Sequence, residues 1–216
     1  MAKTVPAPWH LEGTGYIMSY KFPKQFILER GFLAKRFSNG FYGKVGYVIL
    51  ADYQSSPVGP YRELLFIPGK VRYQRRKAYT ISKIFVSTAA SAENGRNNWG
   101  IPKELAEFSM TPVGKDLETI KVTKDGAVIL DITVKAGSRL TVPLHTAFKP
   151  VTLVQHLDGQ TFWTRLHGKG TAKFAQNLDV SVNSQYFPNF VFSRHVAIMR
   201  VKHFNLTLAA AKVRQD

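Results

Sequence analysis

The sequence predicts a mainly β fold, built from antiparallel strands with few helices. Stretches rich in Val, Ile, Tyr and Phe recur along the chain and are separated by Gly or Pro. Of the 216 residues, 44% are hydrophobic and 12% aromatic, which is enough to form a buried core. The length predicts a single domain over residues 1–216. Many short strands favour a sandwich or a closed barrel, since closure removes exposed strand edges.

The strands can be placed in order along the chain. In the first half they are predicted over residues 15–22, 43–52, 63–67 and 78–86. A hairpin follows, with strands over residues 117–123 and 127–134 joined by an Asp-Gly turn, which is a strong hairpin signal. The C-terminal part includes a strand over residues 196–209. The second half is therefore also expected to be β structure.

Two helices interrupt this pattern. Apolar residues at helical spacing predict the first over residues 23–32. The second is predicted over residues 88–99, with a cap at Ser87 and an end at Gly100 and Pro102.

The chain carries a formal net charge of +16, which would attract phosphates, acidic surfaces and small anionic substrates. Basic residues are densest in a predicted hairpin over residues 70–83, where Tyr73 and Tyr79 lie among them. This hairpin could bind nucleic acid through phosphate contacts and stacking, or it could be a solvated surface. No recognised nucleic-acid-binding signature accompanies it, so nucleic-acid binding is the less favoured alternative.

The composition also argues against several kinds of functional site and against a membrane-spanning helix. Cysteine is absent, so the chain has no disulfide, thiol nucleophile or cysteine-ligated metal. The six histidines lack the spacing of a metal site, and we expect neither metal nor cofactor. No apolar run approaches the roughly 20 residues of a membrane helix, and the N-terminus lacks the apolar stretch of a signal peptide. We expect a cytoplasmic protein that does not bind membranes.

The segment from Asn94 to Leu105 is the most informative for function. In it a polar helix end passes through Gly100 and Pro102 to Lys103, at the start of a strand. Proline fixes its own φ angle and favours an extended conformation for the residue before it. The direction in which Lys103 leaves the chain is therefore constrained, in a way that suits an amine pointing inward.

This segment resembles the signature of the acetoacetate decarboxylase family, in which a Gly-Arg pair precedes Pro and a Schiff-base lysine. Gly95-Arg96 and Pro102-Lys103 match that signature. A second block over residues 55–64 resembles the family's loop and strand that deliver an active-site glutamate. The resemblance spans about residues 9–110. It implies a barrel or cone of antiparallel sheets with an internal pocket, and assembly into homo-oligomers.

The resemblance further implies a lyase that acts on a small anionic keto acid or a ketone through Lys103. A neutral lysine amine attacks the carbonyl carbon, and the protonated imine accepts the electrons released by C–C cleavage or by proton loss. Glu63 falls on the family's glutamate position and would act as acid or base, while Arg96 would bind the substrate anion. Because an ordinary lysine has a pKa of about 10.4, the mechanism needs its charged form disfavoured. Acetoacetate decarboxylase is itself a standard example of such activation.

Three positions depart from the decarboxylase pattern. Glu104 replaces its second lysine, Val48 replaces a second glutamate, and residues 12–14 lack its N-terminal arginine. A carboxylate sharing the pocket would raise the pKa of Lys103, but successive strand residues face opposite ways, so Glu104 is expected to point away. Decarboxylation, aldol, dehydration and cyclisation reactions stay open, as does a non-catalytic small-molecule-binding protein of the same fold.

Overall fold

The computed structural model describes residues 3–43, 45–146 and 151–215. Within these ranges, 15 strands join into one hydrogen-bonded sheet, with three helices between them. The mainly β class predicted from the sequence is confirmed. Lys44, in the strand predicted over residues 43–52, lies outside the described residues.

The first eight strands are β1 (Trp9–Lys21), β2 (Phe41–Gly43), β3 (Val45–Ser55), β4 (Tyr61–Ile67), β5 (Lys70–Tyr73), β6 (Arg76–Tyr79), β7 (Lys83–Val86) and β8 (Glu104–Leu105). The others are β9 (Glu107–Gly114), β10 (Leu117–Lys124), β11 (Ala127–His145), β12 (Val151–Leu157), β13 (Gln160–Val182), β14 (Arg194–Leu208) and β15 (Lys212–Gln215). The helices are α1 (Lys24–Arg30), α2 (Lys35–Ser38) and α3 (Ala89–Trp99).

The sheet runs in the order β2-β5-β6-β12-β13-β14-β1-β3-β4-β7-β8, and the remaining strands branch from β13. Most neighbours are antiparallel, while β6 with β12 and β7 with β8 are parallel. Among the described strands the order is open, with β2 and β8 at its ends, so the sheet does not close on itself. Strand β8 therefore has one neighbour in this order, a position that matters for the site.

Both predicted helices are present, with one correction at a cap. The helix predicted over residues 23–32 is α1. The helix predicted over residues 88–99 is α3, but its cap is Thr88, whose side chain accepts a hydrogen bond from the Ser91 N–H. Ser87 instead accepts from the backbone N–H of Arg62 at 2.8 Å. The hydroxyl proposed as a cap thus stabilises the start of β4.

The strand predictions hold for most of the chain. The predicted hairpin is β10 and β11, with positive φ angles of 51° at Asp125 and 78° at Gly126 in its turn. The single strand predicted over residues 78–86 is wrong, because β6 and β7 are separate. Gln155 binds the intervening segment, accepting from the Thr80 hydroxyl at 2.9 Å and donating to the Ile81 carbonyl at 3.3 Å.

The buried residues form two clusters, and neighbouring residues of β3 belong to different ones. Val48 and Leu50 pack in the first cluster, whereas Ala51 and Tyr53 pack in the second. This follows from the alternation of side chains along a strand. The second cluster surrounds the cavity described below. No helix in the described part of the chain is long and apolar enough to cross a membrane.

Candidate active site

The backbone around Lys103 is fixed by the end of α3. Gly100 ends the helix in the left-handed conformation, with φ of 61°, and its N–H donates to the Arg96 carbonyl at 2.9 Å. Glycine tolerates this conformation without the penalty of a side chain. After Pro102, the Lys103 N–H donates to the Ile101 carbonyl at 2.8 Å. Lys103 therefore lies in a tight connection between α3 and the short strand β8.

The Lys103 side chain is buried, and its amine contacts several neighbouring side chains. The residue is 3% exposed. Its Nζ donates to Oε2 of Glu63 at 2.8 Å and to Oγ of Ser91 at 3.1 Å. The same nitrogen lies 5.1 Å from the centre of the Tyr61 ring. The structure thus brings together Lys103 and Glu63, which lie 40 positions apart in the chain.

Glu63 is held on β4 by residues of the same sheet. It is 4% exposed, and its Oε1 accepts a hydrogen bond from the Tyr53 hydroxyl at 3.2 Å. Tyr53 and Tyr61 are paired residues on β3 and β4, with ring centres 4.6 Å apart. Both phenols are therefore placed beside the ion pair by strand register.

The protonation of this group follows from its neighbours. Burial alone would lower the pKa of Lys103, but the carboxylate of Glu63 and the hydroxyl of Tyr61 favour the ammonium. The net result is a pKa above the ordinary 10.5, so the resting site contains an ion pair. Burial also raises the pKa of Tyr61 to about 12 and that of Tyr53 well above its usual range, so both phenols stay protonated. The depressed lysine pKa expected from the chemistry is not found in this resting state.

The ion pair lies against a cavity of about 330 Å³. Residues of β3 and alternate residues of β4 line it, together with parts of β1, β11, β12, β13 and β14. Most of these side chains are hydrocarbon or aromatic, and Lys103 and Glu63 are its charged buried groups. A volume of roughly 300 Å³ or more is typical of small-molecule sites, which combine apolar walls with a few convergent polar groups.

Arg96 occupies a different position from the one expected. Its exposed side chain donates a hydrogen bond to the backbone carbonyl of Lys103, and it is not among the described cavity-lining residues. Being on the outer side of the connection, it holds the backbone of Lys103. Its position therefore gives no support to the prediction that Arg96 binds the substrate anion.

The positions that depart from the family pattern also lie outside the cavity. Glu104 points away from Lys103, as expected, and forms ion pairs with Lys83 at 2.5 Å and Lys124 at 2.6 Å. Val48 packs in the first buried cluster, so it does not face the ion pair. The cavity-facing residues of β3 near Glu63 are Ala51 and Tyr53, neither of which is acidic.

Sequence reasoning missed three residues that contact the ion pair: Tyr53, Tyr61 and Ser91. Tyr61 precedes Glu63 by two positions on a strand and so shares its face. Ser91 precedes Gly95 by one helical turn and shares its side of α3. These spacings could have identified both residues, whereas Tyr53 required the pairing of β3 with β4.

The basic hairpin forms as predicted, from β5 and β6. Several of its cations contact aromatic rings of the same chain. The Arg76 guanidinium lies 4.9 Å from the Trp163 ring, and the Lys70 Nζ lies 5.1 Å from the Tyr79 ring. Tyr79 also lines the cavity, so part of this surface serves the protein's own packing. Within the described ranges, no three His, Asp or Glu side chains are grouped as potential metal ligands.

The chain is similar in sequence to a curated plant protein over part of its length. The chain is 33% identical over 67 residues to Protein NEOXANTHIN-DEFICIENT 1 of Oryza sativa subsp. japonica, a match covering 31% of this chain and 22% of that protein. The chain therefore spans about a fifth of the length of this curated relative.

Solved structures match over nearly the full chain. Acetoacetate decarboxylase from Legionella pneumophila subsp. pneumophila str. Philadelphia 1 has a TM-score of 0.74 at 18% identity, covering 100% of this chain and 90% of that one. The enduracididine biosynthesis enzyme MppR, complexed with pyruvate, has a TM-score of 0.66 at 14% identity, covering 98% and 92%. At these identities the two structures establish a shared fold.

The family itself is established by a longer match in sequence. The model of the acetoacetate decarboxylase family matches residues 41–165, which include Glu63, Gly95 and Lys103. This range is more than half of the chain and contains both signature blocks. The chain therefore belongs to the acetoacetate decarboxylase family.

Proposed function

We propose that the protein is a Schiff-base-forming enzyme of the lyase type, acting on a carbonyl compound through Lys103 with Glu63 as its proton-transfer partner. The observation that carries this proposal is the direct contact of the two side chains, 2.8 Å apart, at the wall of an apolar cavity. Single-domain organisation, homo-oligomer formation and a cytoplasmic location stay predictions from the sequence and the family.

The first step moves a proton within the ion pair. The Lys103 ammonium gives a proton to the Glu63 carboxylate, leaving a neutral amine and a carboxylic acid. A ligand that displaces water from the cavity favours this transfer, because separated charges are costly in an apolar environment. The elevated pKa of Lys103 shows that the ion pair is the form from which this proton transfer starts.

The neutral amine then attacks the carbonyl carbon, and proton transfer to the former carbonyl oxygen gives a carbinolamine. Glu63 returns its proton to the hydroxyl group, which leaves as water, so that the iminium ion and the Glu63 carboxylate remain. The iminium accepts the electron pair released when an adjacent C–C or C–H bond breaks. Where a proton is lost, Glu63 is the base placed to accept it. Tyr53 orients this carboxylate through its hydrogen bond.

The chemistry after the iminium is common to decarboxylases, aldolases and dehydratases. The cavity-facing positions of β3 near Glu63 carry no second acid, which distinguishes this site from the family pattern in which two glutamates serve the lysine. We therefore assign the shared iminium step to Lys103 and do not assign a particular bond to be broken.

One observation favours a second candidate function, a non-catalytic small-molecule-binding protein. The elevated pKa of Lys103 keeps the ammonium charged, and a charged lysine can hydrogen bond a carbonyl oxygen without attacking it. In that case the ion pair would orient a ligand in the cavity and no covalent adduct would form.

Borohydride trapping separates the two functions. The protein is incubated with acetone, acetoacetate and pyruvate, each with cyanoborohydride, and its peptides are analysed by mass spectrometry. An enzyme should give a reduced adduct on the Lys103 peptide, absent from Lys103→Ala, and should exchange the α-protons of a bound ketone with deuterated water. If a ligand stabilised the protein against unfolding but gave neither a trapped adduct nor exchange of α-protons, the non-catalytic binding function would be indicated.

A further inference from the structure

The cavity continues far beyond the ion pair along two neighbouring strands. On β4 its lining residues alternate from Glu63 to Ile67. On β3 they run from Tyr53 to Tyr47, which is paired with Ile67. Because a strand rises by about 3.3 Å per residue, the step from Glu63 to Ile67 corresponds to roughly 13 Å of wall. That length exceeds what a ketone as small as acetone, or a keto acid such as pyruvate, would contact.

The wall beyond the ion pair is predominantly aliphatic. Its side chains include Leu11, Ile49, Leu65, Ile81, Leu153 and Leu206. Apolar surface of this kind binds hydrocarbon through removal of that surface from water. The lining therefore offers a long ligand its main source of affinity away from Lys103.

Two glycines contribute backbone to another part of the wall. Gly168 and Gly170 on β13 both line the cavity and contribute no side chain to it. At position 170 a Cβ would lie 2.5 Å from the carbonyl oxygen of His203. Backbone therefore forms part of the lining at these two positions, and the close approach of β14 requires glycine at position 170.

The charges near Lys103 do not suit a keto acid. In pyruvate or acetoacetate the carboxylate lies close to the carbonyl, so it would lie beside the Glu63 carboxylate on entry and again once the iminium has formed. The other basic side chains among the described lining residues are Lys169 and His145, and both are exposed. Burying an anion without a partner is costly, and Lys103 is already paired.

We propose that this cavity takes a ketone or aldehyde with an extended hydrocarbon body, its carbonyl beside Lys103 and its chain along β3 and β4. The orientation of the ligand rests on the proposed Schiff-base function. Its apolar character rests on the lining residues alone.

The test is a series of methyl ketones of increasing length, from acetone through methyl hexyl to methyl nonyl ketone, compared with pyruvate and acetoacetate. Two quantities are measured: the half-saturating concentration for cyanoborohydride trapping on Lys103, and the shift in thermal unfolding midpoint of wild type and Lys103→Ala. The half-saturating concentration should fall by about three- to fourfold per added methylene over the first several members.

A cavity-filling variant locates the chain of the ligand. Ile49→Trp should remove the dependence of the half-saturating concentration on ketone length, because the added ring fills the space along the wall. Val128→Trp is the matched control, because Val128 is 41% exposed and is not a described lining residue. That control should behave as wild type throughout the series.

The outcomes separate this inference from the proposed function. Trapping that is equal for all ketones, or best with pyruvate or acetoacetate, overturns the inference and leaves the Schiff-base function standing. Long ketones that stabilise both wild type and Lys103→Ala without any trapped adduct support the apolar ligand class and overturn the Schiff-base function. Neither trapping nor stabilisation across the series overturns both.

Discussion

Lys103 lies in the space left by the missing side chain of Gly95. A Cβ at position 95 would lie 2.7 Å from Cδ and 2.8 Å from Cε of Lys103, distances that real contacts do not reach. The glycine of the Gly-Arg signature therefore has a steric role in this protein. It allows α3 to pack directly on the alkyl chain of the lysine.

Gly95→Ala should displace the Lys103 amine from Glu63 and Ser91. Overpacking of this kind costs about 1–3 kcal/mol of stability, partly offset by the better helix propensity of alanine. We expect trapping on Lys103 to fall at least tenfold while the protein stays folded, as measured by mass spectrometry and circular dichroism. Gly137→Ala is the control, since a Cβ there meets nothing within 4 Å. If Gly95→Ala trapped as much adduct on Lys103 as wild type does, this steric role would be contradicted.

Glu63→Gln should lower the pKa of Lys103 below its ordinary value. Without the carboxylate, the effect of burial dominates, and burial disfavours the ammonium. An amine-selective reagent should then label Lys103 at lower pH in the variant than in wild type, with the other lysine peptides of the same digest as internal references. Labelling of Lys103 at unchanged pH would show that Glu63 does not control its protonation.

Glu63→Gln should also change how the free energy of unfolding depends on pH. In wild type the folded pKa of Lys103 is above 10.5, so its contribution is fully present below pH 10.5 and is lost as pH rises through the folded value. In Glu63→Gln the folded pKa is depressed, so stability decreases as pH falls towards neutrality. Urea unfolding should show a loss of about 3 kcal/mol at neutral pH and a smaller loss at alkaline pH.

Glu104→Lys restores the second lysine of the decarboxylase pattern, yet it should not activate Lys103. Position 104 faces Lys83 and Lys124, so the variant places three cations together on the opposite side of the strand. We expect a loss of stability of about 1 kcal/mol or more, and no change in the labelling pH of Lys103. Glu104→Gln, which removes the charge without reversing it, should lose less stability. A lower labelling pH in Glu104→Lys would show that the two side chains share one environment.

Arg96→Ala tests whether this arginine meets the substrate. Since its guanidinium donates to the backbone carbonyl of Lys103, the substitution should weaken trapping of neutral ketones and keto acids by the same factor. The measurement is the ratio of trapped adduct with acetoacetate to that with acetone. An effect confined to acetoacetate would return Arg96 to the anion-binding role first predicted for it.

Much of the site was predictable because it depends on local sequence. Pro102 and Gly100 constrain the backbone that presents Lys103, and both act through their own conformational limits. The direction of Glu104 followed from strand alternation alone. The presence of Lys103 and Glu63 in one site was implied by the family resemblance of two sequence blocks, whereas their direct contact depends on sheet topology.

The parts that were not predictable depend on long-range contacts. The pKa of Lys103 is raised by Glu63 and Tyr61, which lie on β4, about 40 positions earlier in the chain. The break between β6 and β7 is stabilised by Gln155, more than 70 positions further along the chain. Ser87 was wrongly predicted to cap α3, because its actual partner, the backbone N–H of Arg62, lies on β4 and is distant in sequence. Local sequence patterns do not identify contacts between residues that are distant in the chain.

The two members of the reactive pair belong to different kinds of structural element. Glu63 lies on β4, with a strand on either side, whereas Lys103 belongs to a connection leading to β8 at the end of the sheet. Substitutions in that terminal connection can change the nucleophile without rebuilding the cavity walls. Substitutions along β3 and β4 can change the ligand without moving the nucleophile. The nucleophile and the apolar walls of the cavity are therefore supplied by different structural elements of this chain.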